Sequence, residues 1–288
     1  MDAILSMISD WLKDLLVDGT MNNLTGMFDA VNRQVADVAR QVGTTPANFS
    51  PGVFLMIRNV SEYIILPIAG MFLTFIACYE LIQLVLEHNN LASYETWIFF
   101  KWILKTYAAV LLISNTFNIT MAVFDVTQNV IKRSTGIIYG SAAIQETALA
   151  GMRATLEAMD PGPLFGLFIQ SLIAQLCSTF MSVAIFVIVY GRMMEIYLMT
   201  SLAPIPFSTF GNREQSQIGQ NYLRSLFALG FQGFLILVCV AIYAVLVQRF
   251  TVSDDIIASI WSLMGYTVLL CFSLFKTGSL ARSVLNAH

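Results

Sequence analysis

The chain has 288 residues, of which 57% are hydrophobic and 11% charged, and its mean hydropathy is +0.72. A soluble domain carries about 25% charged residues, so this composition nearly excludes a soluble enzyme. It also excludes a disordered chain, because disorder accompanies low hydrophobicity and high charge. The net charge of −3 gives no broad basic surface of the kind that nucleic-acid-binding proteins carry. We therefore expect a polytopic membrane protein with several spans of about 20 residues each.

The first 52 residues predict amphipathic or interfacial helices that precede the membrane domain. In residues 3–18 the apolar side chains recur at helical spacing and the aspartates lie elsewhere, so this helix is too polar to span, and Gly19 is expected to end it. The next stretch has apolar residues at heptad spacing: Leu24, Phe28, Val31, Val35, Val38 and Val42. This seam indicates either a helix packed on its own protein or at the membrane surface, or an interface between copies of the chain.

Residues 53–288 are predicted to form a transmembrane helical domain. Its clear apolar spans cover about 63–86, 97–124, 164–190, 223–247 and 256–275. The stretch 196–210 is apolar but short, and Pro204 and Pro206 prevent a regular helix there. It predicts either a helix ending at the interface or a re-entrant element, whose free backbone groups need cover from protein or a wet cavity. The predicted fold is all-α, with five or six transmembrane helices.

Two lysines near the start of the second span are candidates for contact with the membrane interface. Lys101 and Lys105 are one helical turn apart, on the same face of the predicted helix. They have two interpretations, since long basic side chains either extend to the lipid headgroups or pair with an acidic residue. Glu80 and Glu95 are the acidic residues close enough along the sequence to serve as partners.

Catalytic motifs are absent from the sequence: it contains no P-loop, HExxH, Rossmann glycine fingerprint or GxSxG. The two histidines, in a polar loop and at the last position, leave no metal cluster and no nucleophile–histidine pair. Arg192 and Glu195, near a span end, are candidate charges at the membrane interface, and their spacing of three residues allows them to pair on one helix. We therefore expect neither an enzyme nor a cofactor, and bound lipids are the only small molecules that we anticipate.

The distribution of Lys and Arg depends on whether 196–210 crosses the membrane. If it does, six spans place eleven Lys and Arg on the N-terminal side and four on the other, which by the positive-inside rule puts both termini in the cytoplasm. If it does not, the split is eight to seven and the rule assigns no orientation. Charge alone leaves five and six spans open.

Several segments resemble the TrbL-type polytopic subunit of conjugative type IV secretion systems, in the version found on conjugative elements of Gram-positive bacteria. The segments are NLTGMFDAVN at 23–32, ETWIFFKWILKTYAAVLLISNTFN at 95–118, SLAPIPFSTFGN at 201–212 and IGQNYLRSLFALGFQGFLIL at 218–237. The resemblance covers nearly the whole chain, and the Pro-x-Pro and GFQGF stretches are its most specific parts. It implies about five spans and an N-terminus that can face outward, in conflict with the six-span interpretation.

The resemblance further implies a multi-pass component of the DNA-transfer channel in the bacterial inner or plasma membrane. Such a subunit would form a ring of identical copies and work with the ATPases, coupling protein and other subunits of the secretion system, surrounded by membrane lipids. The positions that match the family pattern are candidates for structural or gating roles: Pro204, Pro206, Asn221, Tyr222, Gln232 and Gly233.

The leading hypothesis is therefore a non-enzymatic channel or scaffold component for conjugative DNA transfer. Because the chain is acidic and has few basic residues in its spans, we expect at most transient contact with the transferred single-stranded DNA. Two alternatives stay open on sequence alone. One is a small-molecule or ion transporter, and the other is a membrane scaffold of a different secretion machine.

Overall fold

The computed structural model describes residues 2–87, 96–138, 147–212, 214–248 and 256–287, and every regular element in these ranges is helical. The helices are α1 (Asp2–Val42), α2 (Pro46–Phe49), α3 (Pro51–Asn59), α4 (Leu66–Glu87), α5 (Thr96–Ser114), α6 (Thr116–Ile138), α7 (Thr147–Ala158), α8 (Pro161–Leu202), α9 (Pro204–Ser208), α10 (Ser216–Gln248) and α11 (Ile256–Val284). A π-helical turn, Val60–Ile65, joins α3 to α4, and a 3₁₀ turn, Thr209–Gly211, follows α9. The predicted all-α fold is confirmed.

Five segments of the described chain are long and apolar enough to cross a membrane. They are Pro51–Leu86, Trp97–Ser114, Pro161–Leu202, Ser216–Leu246 and Trp261–Val284. Residues 196–210 form no separate span in this part of the chain, because they are the last turns of α8 and the short α9. With five spans the Lys and Arg residues split eight to seven, so the positive-inside rule does not support a cytoplasmic placement of both termini.

The apolar stretch predicted as one span at 97–124 falls on two helices, α5 and α6. The side-chain amide of Asn115 donates to the carbonyl oxygen of Leu111 at 2.9 Å, and the hydroxyl of Thr116 donates to that of Ile113 at 2.7 Å. Side chains that bond to the preceding turn compete with the hydrogen bonds of the helix itself. These bonds lie where the regular helix is interrupted, between Ser114 and Thr116. The second helix, α6, is not among the five candidate spans.

The contacts divide the chain into two compact units, and the predicted boundary at residue 52 stays a prediction. Unit 1 comprises Met1–Val42, Lys132–Tyr190 and Leu235–Thr277. Here two side-chain amides of α1 bond to hydroxyls of α8, and the partners in both pairs are 148 residues apart. A constant separation means that both helices advance in the same direction, so α1 is parallel to the first part of α8. The pairs are Asn23 with Ser171, at 3.0 Å, and Gln34 with Ser182.

The predicted break at Gly19 does not occur, and α1 is one helix of 41 residues. A Cβ at Gly19 would lie 2.6 Å from the ring of Phe168, so the missing side chain gives α8 a close approach to α1 instead of ending the helix. Arg153 of α7 donates to Glu157 at 2.9 Å and to Asp18 of α1 at 3.0 Å. The hydrogen bond to Glu157 and the charge of Asp18 raise the pKa of the Arg153 guanidinium above its ordinary value.

The heptad seam of α1 is explained in part by this packing. Leu24, Val38 and Val42 are buried within the chain. The side chains of Phe28, Val31 and Val35 lie outside the described residues. The three buried members favour the interpretation in which the helix packs on its own protein, and an interface between copies through the rest of the seam stays a prediction.

Unit 2 comprises Gly43–Ile131, Gly191–Phe234 and Gly278–His288. Its core is built from apolar side chains of α3, α4, α5, α6, the end of α8, α9 and the first half of α10; these include Ile57, Leu73, Ile113, Phe124, Ile196, Phe207 and Leu226. Close van der Waals packing of such side chains holds this set of helices together in a membrane. Most of the residues singled out in the sequence as candidate functional positions lie within or around this core.

Candidate functional site

A proline-broken segment, residues 203–211, follows α8 and is called the proline turn below. Pro204 and Pro206 carry no backbone N–H, so neither can continue the hydrogen-bond ladder of α8. The carbonyl oxygen of Thr200 therefore lacks the donor that another residue at position 204 would supply. The N–H of Ala203 turns back to this oxygen at 3.3 Å, which tightens the last turn of the helix.

Side chains from other helical segments donate hydrogen bonds to two carbonyl oxygens at the end of α8, those of Met199 and Thr200. The hydroxyl of Tyr222, on α10, donates to the carbonyl oxygen of Met199 at 2.6 Å. The hydroxyl of Ser61, in the π-helical turn, makes a longer bond of 3.5 Å to the carbonyl oxygen of Thr200. Irregular backbone at membrane depth requires such partners. Within unit 2, protein side chains meet this requirement for Met199 and Thr200.

The proline turn is packed tightly against α4, α5 and the start of α10. Phe207 is 1% exposed, and its ring makes an edge contact with Tyr222, with 6.0 Å between the ring centroids. The backbone N–H of Gly219 donates to the hydroxyl of Thr209 at 3.1 Å. A Cβ at position 219 would lie 2.9 Å from the carbonyl oxygen of Pro206, so this approach of α10 requires glycine.

A buried arginine on α8, Arg192, connects this helix to α10 and lies before the proline turn in the chain. Arg192 is 3% exposed; its Nε donates to the carbonyl oxygen of Leu229 at 3.1 Å, and one terminal nitrogen donates to that of Gly230 at 3.3 Å. This burial is within the protein, so the placement of Arg192 at the membrane interface stays a prediction. Its expected partner, Glu195, forms an ion pair with Arg282 of α11 instead.

Two glycines of α10 give space to neighbouring side chains, Gly233 to the guanidinium of Arg192 and Gly230 to Thr127. A Cβ at Gly233 would lie 2.6 Å from a terminal nitrogen of Arg192 and 2.9 Å from Ile131. A Cβ at Gly230 would lie 2.7 Å from the side chain of Thr127. The GFQG spacing thus leaves a notch on one side of α10, and we call Arg192 with Leu229, Gly230 and Gly233 the arginine clamp.

Two other candidate residues, Gln232 and Asn221, lie on α10 next to residues of these two features. Gln232 is half-buried, and its side-chain amide lies 3.2 Å from the position that a Cβ at Gly278 would take. Asn221 is half-buried next to Tyr222 in the chain. Lys101 and Lys105 lie apart from the clamp, near the start of α5, where Lys105 pairs with Glu80 at 2.6 Å. This is one of the two acidic partners considered for it, and Glu95 lies outside the described residues.

Several residues of this site could not be singled out from the sequence. Ser61 and Arg282 meet partners that are far away along the chain, Gly219 meets Thr209 across the proline turn, and no motif marks these three residues. The sequence indicates only that a proline-broken helix in a membrane needs hydrogen-bond donors for its carbonyl oxygens. It does not indicate which residues supply them. In the described part of the chain, no three His, Cys, Asp or Glu side chains are grouped to hold a metal ion. The site offers packing and hydrogen bonds rather than reactive groups.

We expect the Tyr222→Phe variant to be less stable than the wild-type protein by about 1 kcal/mol, because it removes one buried hydrogen bond and leaves the Met199 carbonyl oxygen without this donor. The aromatic ring and its contact with Phe207 stay in place. Thermal unfolding of the purified protein in detergent would measure the loss. Tyr107→Phe, which changes an exposed tyrosine of α5, is the matched control. Equal melting temperatures for the two variants would contradict the assigned role of the hydroxyl.

Comparison with known families gives one match. The family model described as TrbL/VirB6 plasmid conjugal transfer like protein matches residues 31–204, which is more than half of the chain. The matched region includes Arg192 and reaches the first proline of the proline turn. No curated protein and no solved structure matches the chain significantly.

Proposed function

The chain belongs to the TrbL/VirB6 family of plasmid conjugal transfer proteins, and from this premise we propose that it is a scaffold of the DNA-transfer channel in a conjugative type IV secretion system. Membership in the family makes it a multi-pass cell-membrane component of conjugal transfer, in agreement with its five apolar spans. The finer role, as part of the channel itself, is our proposal. The single observation that carries it is the family match over residues 31–204.

The use of polar groups in unit 2 supports a structural role. Arg192 and Tyr222, which lie in candidate membrane spans, donate to backbone carbonyl oxygens of neighbouring helices. In hydrocarbon, polar side chains of this kind stabilise helix packing. A scaffold needs such fixed helix contacts, whereas a substrate site needs polar groups that are free to bind a ligand.

We further propose that several copies of the chain assemble in the membrane together with other subunits of the secretion system, including its ATPases and coupling protein. Family membership supports partners of the secretion-system class. Leu24, Val38 and Val42 are buried within the chain, so we place contacts between copies outside these three positions. Contact with the transferred strand is expected to be brief, because Arg192 is buried and bonded to backbone.

Deletion of the gene from a conjugative element is expected to abolish transfer to recipient cells, because the channel would lose a membrane subunit. Transfer frequency in mating assays is the measurement, and expression of the full chain in trans should restore it. The assembled state would be measured separately, as the mass of the protein extracted in lipid nanodiscs. Wild-type transfer by the deletion strain would refute the proposed function, and a strictly monomeric particle would refute the proposed assembly.

A further inference from the structure

A small groove lies between the end of α4 and the start of α5, within unit 2. Its volume is about 320 Å³, and its polar lining consists of Glu80, Gln83, Lys101, Trp102 and Lys105. The clamp and the proline turn contribute no residue to it. The groove therefore combines two basic side chains, one acidic side chain and an aromatic ring in a place that the proposed scaffold role does not use.

The position of the groove along the two helices corresponds to a membrane boundary. Glu80 and Gln83 lie near the end of the candidate span Pro51–Leu86, and Lys101 lies near the start of the span Trp97–Ser114. Tryptophan side chains concentrate at the level of the lipid headgroups, and Trp97 and Trp102 both lie in the first two turns of α5. The groove thus opens at the depth at which phospholipid phosphates are found.

Among the described charges around the groove, one cation has no countercharge. Lys105 lies 2.6 Å from Glu80, whose side chain is only 15% exposed, so these two charges offset each other. Lys101 forms no ion pair with any residue that the structure describes, and its ammonium nitrogen lies 5.4 Å from the centre of the Trp97 ring. A cation held over an aromatic ring keeps its remaining N–H donors available for an anion.

The apolar surface beside Lys101 suits the rest of a lipid molecule. Leu104, one helical turn further along α5, is 58% exposed, and Phe100 is 51% exposed. A free phosphate ion or a nucleic-acid strand would find no polar partner on these side chains. An acyl chain would lie against them, with its phosphate beside Lys101.

We propose that this groove is a binding site for the phosphate headgroup of an anionic phospholipid, with Lys101 as the main ligand and Trp102 as its aromatic wall. The proposal needs only that α4 and α5 cross the membrane and is independent of the channel role. Glu80 limits the affinity of the groove for the lipid phosphate, because its carboxylate is part of the groove lining and neutralises Lys105. We therefore expect the loss of Lys101 to weaken the binding of an anionic lipid and the loss of Glu80 to strengthen it.

The test uses the full-length protein in detergent and measures retained lipid by native mass spectrometry after addition of phosphatidylglycerol or phosphatidylcholine. The wild-type protein should retain phosphatidylglycerol preferentially. Lys101→Gln should lower this retention about fivefold, the effect of one basic residue near an anionic lipid surface. Glu80→Gln should raise it, because Lys105 is then also free. Lys13→Gln, a lysine-to-glutamine change on α1 in unit 1, is the matched control and should leave retention unchanged.

Several outcomes would overturn the proposal. They are equal retention of the two lipids, equal losses in Lys101→Gln and Lys13→Gln, and lower retention in Glu80→Gln. Inorganic phosphate and a single-stranded oligonucleotide are added in separate experiments as competitors. If inorganic phosphate raises the melting temperature as much as the lipid does, the ligand is the free ion. If the oligonucleotide displaces the lipid through Lys101, the groove is a nucleic-acid contact instead.

Discussion

Replacement of Arg192 by alanine is expected to lower the free energy of unfolding by about 2–4 kcal/mol, because it removes two charge-assisted hydrogen bonds and leaves a hole between α8 and α10. The carbonyl oxygens of Leu229 and Gly230 lose the donors that now bind them at 3.1 and 3.3 Å. Transfer frequency should fall with the amount of folded protein in the membrane. Thermal unfolding in detergent and a mating assay of the same variant are the two measurements.

Arg192→Leu separates the charge of the clamp from its volume. A well-packed apolar side chain in place of a buried charge is often neutral or stabilising, so this variant should be more stable than Arg192→Ala. If Arg192→Leu is stable but does not support transfer, the hydrogen bonds of the clamp serve function beyond folding. Gly191→Ala, at an adjacent exposed position where an added Cβ meets nothing within 4 Å, is the control. Wild-type stability of Arg192→Ala would contradict the clamp.

The proline turn shows how far sequence reasoning reaches in this chain. Pro204 and Pro206 predict a broken helix, and the chemistry of membranes predicts that its carbonyl oxygens need donors. The identity of the donors does not follow, because Tyr222 and Ser61 lie 23 and 139 residues from the carbonyls that they cover. Periodicity and local spacing describe only neighbours on one helix. Tyr222 was selected through the family resemblance, which gave no partner for its hydroxyl.

The arginine clamp shows why local spacing does not give the partners of a charged residue. A spacing of three residues pairs Arg192 with Glu195 when only their own helix is considered. In the folded chain the acceptors for Arg192 are backbone carbonyl oxygens of α10, which have no sequence signature, and Glu195 pairs with Arg282. The family resemblance also points to Gly233, as a candidate for a structural or gating role. The physical reason for a glycine at this position is the space that the guanidinium of Arg192 occupies, and this space follows only from the packing of α8 against α10.

Replacement of Gly233 by alanine is the second variant from which we expect a large effect. The added Cβ would lie 2.6 Å from a terminal nitrogen of Arg192 and 2.7 Å from its guanidinium carbon, so the arginine must leave its present position. On the other side Ile131 lies 2.9 Å away and restricts any movement of the helix. Overpacking of this kind costs about 1–3 kcal/mol, measured as the loss in free energy of unfolding in detergent.

A double-mutant cycle tests whether this cost arises at the clamp. In the Arg192→Leu background the guanidinium is absent, so Gly233→Ala should cost less than it does in the wild-type protein, and the difference is the coupling between the two sites. Gly265→Ala on α11, where an added Cβ meets nothing within 4 Å, should be neutral or stabilising by up to about 1 kcal/mol through helix propensity. Equal costs of Gly233→Ala in both backgrounds would show that the glycine serves another contact, and the notch would then not exist for Arg192.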